Sequence, residues 1–130
     1  MKKIILLSVA LFCLQLSFAN LKDTVVLKQA RDYYKVKNYE KALQLYKDYS
    51  KEADFKEMKD VYLEIANCYY KLNENKKAIK HLKMAFEKYG LTEDVFIYND
   101  IIDPEFSKFA LAEVYDDLDE MQQNYIATTN

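Results

Sequence analysis

The chain has 130 residues, 51% of them hydrophobic, with 19 basic against 21 acidic residues and a formal net charge of −2. That length suits one modest domain with a single core, and the balanced charge sets nucleic acid aside, which asks for a basic surplus. One Gly, one Pro and no Trp exclude a phosphate-cradling loop and a dinucleotide-binding turn, since each needs several glycines. Few positions tolerate φ > 0, so sheets joined by tight turns are disfavoured. Lys, Glu, Leu and Ala are plentiful, and these residues form helices. The expected fold is all-α.

In chain order, the first segment stands apart. Met1-Lys2-Lys3 is followed by an apolar run from Ile4 to about Leu16 and then by Ser17-Phe18-Ala19 before Asn20. A basic start, a short apolar stretch and small residues at the end form a secretory signal peptide over residues 1–19. The run is short for a transmembrane span, which needs about 20 apolar residues. Phe12 in front of Cys13 argues against lipid attachment there. Cleavage after Ala19 leaves 17 basic against 21 acidic residues, a net charge of −4, and leaves Cys68 as the single cysteine. One cysteine makes no internal disulfide, so the mature fold must stand on its core. A compact two-lysine leader points to a bacterial exported protein, periplasmic or secreted.

The mature chain contains two copies of one pattern. Val26, Gln29, Ala30, Tyr33, Ala42 and Tyr46 match Tyr62, Ile65, Ala66, Tyr69, Ala78 and Leu82 at a constant offset of 36 residues. Two helices in a tight hairpin approach closely only where side chains are small. Ala30 is therefore expected to face Ala42, and Ala66 to face Ala78, with Tyr33 and Tyr69 filling the space beside them. The second helices carry apolar residues at helical spacing: Ala42, Leu45, Tyr46 and Tyr49, then Ala78, Leu82, Ala85, Phe86 and Tyr89.

These small and aromatic positions, with the Asn38-Tyr39-Glu40-Lys41-Ala42-Leu43 segment, resemble the tetratricopeptide repeat family over about residues 23–90. The resemblance implies two antiparallel helical hairpins, about 23–56 and 59–92, stacked as a short solenoid. It also implies a concave face lined by the first helix of each hairpin.

Beyond the second copy, Gly90 reads as a helix C-cap, and Thr92 as the cap of a short helix holding Val95, Phe96 and Tyr98. Asp103-Pro104 is a helix start, Asp at N-cap and Pro at N1. Phe106, Phe109, Ala110, Val114 and Leu118 then form an apolar face. This C-terminal helical cap, about 93–121, would cover the apolar end of the stack. The tail 122–130 is expected to fray.

Side chains that carry chemistry are few. His81, the only histidine, has no Cys or His at ligand spacing and reads as a surface residue. Cys68, beside the Tyr69 core position, reads as a buried, inert thiol. Asp116, Asp117, Asp119 and Glu120 lack the glycine that a calcium loop of the EF-hand type turns on, and read as a solvated helix end. No nucleophile stands near a base, so no enzyme, cofactor or metal is expected.

The functional expectation lies on the concave face. In this register the outward positions are Leu27, Arg31, Tyr34 and Lys35 in the first copy and Leu63, Asn67, Tyr70 and Lys71 in the second. Tyr and Arg supply much of the energy of protein interfaces, and Arg31, Asn67, Lys35 and Lys71 suit a carboxylate of an extended peptide. The alternative is an ordinary polar helix face with its tyrosines packed on neighbours. The expected function is an exported protein–protein interaction module, an adaptor or assembly factor holding another protein or an extended peptide. A self-associating structural protein of the cell envelope, a homo-oligomer, is the second reading.

Overall fold

A computed structural model of the chain describes residues 24–130. The signal peptide expected over residues 1–19 lies outside the described residues. Helix α1 (residues 24–35) is followed by α2 (Tyr39–Ser50). A 3-10 turn (Phe55–Glu57) leads directly into α3 (Met58–Lys71), and α4 (Asn75–Tyr89) follows. The C-terminal part consists of α5 (Glu93–Ile97), α6 (Pro104–Val114), a second 3-10 turn (Tyr115–Asp117) and α7 (Leu118–Thr129). No strand occurs among the described residues, and the fold is all-α as expected.

The 36-residue offset is present in the backbone itself. Helix α1 ends with Lys37 in the left-handed region at φ 63°, and α3 ends with Asn73 at φ 60°. The Lys37 and Asn38 amides donate to the Tyr34 and Tyr33 carbonyls, both at 2.9 Å. The Asn73 and Glu74 amides donate to Tyr70 and Tyr69, again both at 2.9 Å. This is the paired closure of a Schellman turn, made twice. Neither turn uses glycine. Asn tolerates the left-handed region, and Lys occupies it at a steric cost. The links are short enough for each pair of helices to fold back on itself.

The four alanines of the pattern, Ala30, Ala42, Ala66 and Ala78, are fully buried. Helix α3 lies at the centre, packed on α4 and on α2. Val61 and every residue from Leu63 to Tyr69 are buried, so α3 is covered on all sides. Helix α7 packs on α4, burying Leu118 and Met121, and α6 adds Phe106, Ala110 and Val114 to the same core.

Three expectations are corrected here. Tyr33 is 37% exposed, whereas its counterpart Tyr69 is 5% exposed. The ring of Tyr69 is covered by Lys47 of α2 and flanked by Lys77 and His81 of α4; among the described residues no helix precedes α1 to cover Tyr33. The tail does not fray at Gln122: α7 continues to Thr129. Leu118, Met121 and Tyr125 share one face of it at one-turn spacing, and the Tyr125 ring rests on Gly90. A Cβ at Gly90, where φ is +70°, would lie 2.6 Å from Tyr125 Cζ. The acidic run is largely exposed, as expected, but it does not end the last helix. It forms the joint between α6 and α7, where Asp117 pairs with Lys83 of α4 at 2.5 Å.

The caps follow their sequence signals. Gly90 closes α4, Thr92 accepts the Val95 amide at the start of α5, and Asp103 accepts the Glu105 amide at 2.9 Å with Pro104 at the start of α6.

Candidate binding groove

Helices α1 and α3 lie side by side and present facing polar groups. Arg31 Nε donates to Glu64 Oε1 at 2.7 Å and its Nη2 donates to Oε2 at 3.3 Å, a two-point contact. The Tyr46 hydroxyl of α2 adds a third donor to Glu64 Oε1 at 3.3 Å. Glu64 is 6% exposed. Burial pushes its carboxyl above the ordinary glutamate value, more than Arg31 and Tyr46 bring it down. The same carboxylate raises Arg31, and burial first, then Glu64, raises Tyr46.

One turn further along, Asn67 joins three segments. Its Nδ2 donates to the Tyr34 hydroxyl at 2.8 Å, and its Oδ1 accepts the Asp103 amide at 3.3 Å. Burial raises the Tyr34 hydroxyl. Lys71 forms an ion pair with Asp103, which lies well under half exposed; the bond lifts the ammonium and holds the carboxyl below its ordinary range. The Tyr70 ring stacks on Phe106 and Phe109 of α6, with centroids 5.0 and 5.6 Å away.

The open part of this face is a cavity of about 410 Å³. Arg31, Tyr34 and Lys35 of α1 form one wall. Buried Tyr46, Glu64 and Asn67 line the cavity as well, as do Asp100 and Ile101 from the segment between α5 and α6. A second cavity of about 400 Å³ lies on the outer side of the first hairpin, between Gln29, Tyr33 and Val36 of α1 and Lys41 and Leu45 of α2.

The structure thus brings together Arg31, Tyr34, Lys35 and Asn67 on one cavity. It does not leave the other expected residues open. Leu63 is fully buried in the core, and Leu27 packs partly buried against it. Tyr70 and Lys71 are taken up by the chain's own Asp103–Phe109 segment. The outward face assigned to α3 is therefore corrected for its second half: the residues between α5 and α6, with the start of α6, lie on it. Glu64, Asp100 and Ile101 were not singled out by sequence, and Tyr46 was read only as a core position of the repeat. Glu64 was detectable only as an acid amid the apolar run of α3; nothing local pointed to Asp100 or Ile101.

Arg31 spends Nε and Nη2 on Glu64, which fixes its guanidinium and leaves the remaining N–H groups for an acceptor in the cavity. Lys35 is 76% exposed, with Asp32 at 3.8 Å as a loose neighbour. A pair of that kind adds little stability and gives way readily. The α1 wall presents N–H donors of Arg31 and the Lys35 ammonium to the cavity.

His81 is partly buried rather than a plain surface residue. Its Nδ1 donates to the Lys77 carbonyl at 2.8 Å, and its ring lies 4.9 Å from Tyr69 and 5.9 Å from Tyr62. Burial holds it below the ordinary histidine value. Cys68 is fully buried, and burial pushes its thiol up to about 12. Among the described residues no group of three or more His, Cys, Asp or Glu is placed to hold a metal ion, and no helix is long and apolar enough to cross a membrane. No protein-family model, curated protein or solved structure matches the chain.

Proposed function

We propose that the chain is an exported, non-enzymatic protein-binding module whose two hairpins form a short tetratricopeptide-like stack, with the α1–α3 groove as its partner site. One observation carries the reading. The α1 wall of the groove presents Arg31, braced by buried Glu64, beside exposed Lys35, over a cavity of about 410 Å³. A braced arginine next to an aromatic ring is the kind of group that anchors protein interfaces. Two identical hairpin turns 36 residues apart support the stacked arrangement. Export rests on the basic and apolar pattern of residues 1–19.

The test is site-specific crosslinking in the native cell envelope. A photoreactive residue at position 35 should capture a partner that the same residue at exposed position 108, away from the groove, does not. Equal capture from both positions, or none from 35, overturns the reading. Self-association is the second reading, favoured by the outer cavity beside exposed Tyr33 and Val36. Light scattering after size exclusion separates the two, a monomer supporting the first and a dimer the second.

A further inference from the structure

The two copies of the repeat offer the same face in two states. In the second copy the face is filled. Lys71 holds the Asp103 carboxylate, Asn67 accepts the Asp103 amide, and Tyr70 stacks on Phe106. The filling segment reads Asp103-Pro104-Glu105-Phe106, the capped first turn of α6. Shifted back by 36 residues, the same positions are Lys35, Arg31 and Tyr34. There Lys35 is exposed, Arg31 is about half exposed, and a cavity lies in front of them.

We propose that the first-copy face binds a segment of another protein with the chemistry of its own internal occupant: two acidic residues flanking one position, followed directly by an aromatic. The inference rests on the groove reading above and adds the class of ligand. Lys35 takes the first carboxylate as Lys71 takes Asp103. The half-buried ring of Tyr34 takes the aromatic as Tyr70 takes Phe106. The copies differ at two points: the Tyr34 ring already meets Tyr39 at 5.3 Å on one side and holds Asn67 through its hydroxyl, and Arg31 stands where the second copy has Asn67. Asn67 accepts a backbone N–H, but arginine has no acceptor. At Arg31 the ligand must bring an oxygen instead, which the second acidic residue supplies. Charge agrees with this assignment, since Arg31 and Lys35 stand together on the α1 wall. Asp100, also on the lining, repels acids and favours their placement beside Arg31 and Lys35.

Among the described residues, the Asp103–Phe106 segment sits on the matching face of the second copy, so it supplies the probe. A fluorescently labelled peptide with the sequence of residues 100–110 is titrated into the full-length protein and followed by anisotropy. Saturable binding is expected. It should weaken about tenfold or more with Lys35→Glu in the protein, or with Asp103→Asn or Phe106→Ala in the peptide. It should persist with Lys71→Ala in the protein, and circular dichroism should show each variant folded. Three outcomes overturn the proposal: no saturable binding; binding lost with Lys71→Ala but kept with Lys35→Glu, which means the peptide displaces the internal segment; or a dimer formed by exchange of that segment between copies. A negative titration together with a position-35 crosslink to a partner removes this ligand class and leaves the groove reading standing.

Discussion

The two hairpins share a sequence pattern and a backbone turn, yet their equivalent residues end in different surroundings. Ala30 and Ala66 are equally buried, because the contact they serve lies within a hairpin. Tyr33 and Tyr69 differ, because the face they share meets α2 in the second hairpin and no described helix in the first. The chain anticipates this. Gln29 and Asp32 stand in the first copy where Ile65 and Cys68 stand in the second, so the more exposed face carries polar groups. Lys35 and Lys71 diverge on the opposite side for the parallel reason: Asp103 reaches only the second. What a repeat position does is set within the hairpin; how buried it becomes is set by what comes before and after.

The largest test of this contrast is the tyrosine pair. Tyr69→Ala removes a buried ring and should cost about 3 kcal/mol of unfolding free energy. Tyr33→Ala should cost under about 1 kcal/mol, as surface changes do. Urea titrations of the two variants check it, and equal losses would mean that the first face is also covered.

The Arg31–Glu64 contact joins the hairpins and ranks next. Arg31→Ala strands a buried carboxylate and should cost about 2 kcal/mol, less than a fully buried pair because Arg31 is partly exposed. Adding Glu64→Gln should recover most of that loss. Arg31 is for this reason a poor probe of binding, whereas exposed Lys35 is a clean one. The pair also has a pH response. Glu64 keeps its proton to higher pH in the fold than in the unfolded chain. Its contribution is therefore complete below the ordinary glutamate value and is lost as pH rises through its folded value. Asp103, held low by Lys71, works the opposite way, losing its contribution as pH falls. Stability of Glu64→Gln minus that of the wild type should rise through the window just above the ordinary glutamate value. A flat difference would mean that Glu64 is not perturbed.

The turns give the smallest effects. Lys37→Gly relieves a left-handed lysine and should stabilise by about 1 kcal/mol. Asn73→Gly should gain less, because Asn already tolerates that conformation. Melting temperatures rising in that order would support two equivalent turns occupied by unequal residues.

Those turns also mark the reach of sequence reasoning. Helical period, paired alanines and the caps at Gly90 and Asp103 are local signals, and each leads to the element found. The left-handed residues were hidden because the usual marker, glycine, is missing from both turns. The second half of the groove was misjudged for a different reason. Asn67 and Lys71 look the same in sequence whether they await a partner or hold Asp103, and a contact across 32 residues leaves no periodic trace. The final helix was legible in Leu118, Met121 and Tyr125, a sparse stripe that a division at Gln122 cut in two.

The seat of that final helix has a consequence in time. The face of α4 that Leu118 and Met121 cover, and the glycine under Tyr125, belong to a segment finished at Gly90. Ribosomes add roughly 5–20 residues each second. The stretch from Gly90 to Tyr125 therefore takes on the order of two to seven seconds to make. The apolar flank of α4 therefore gets its full cover from the chain only once the last dozen residues have been made.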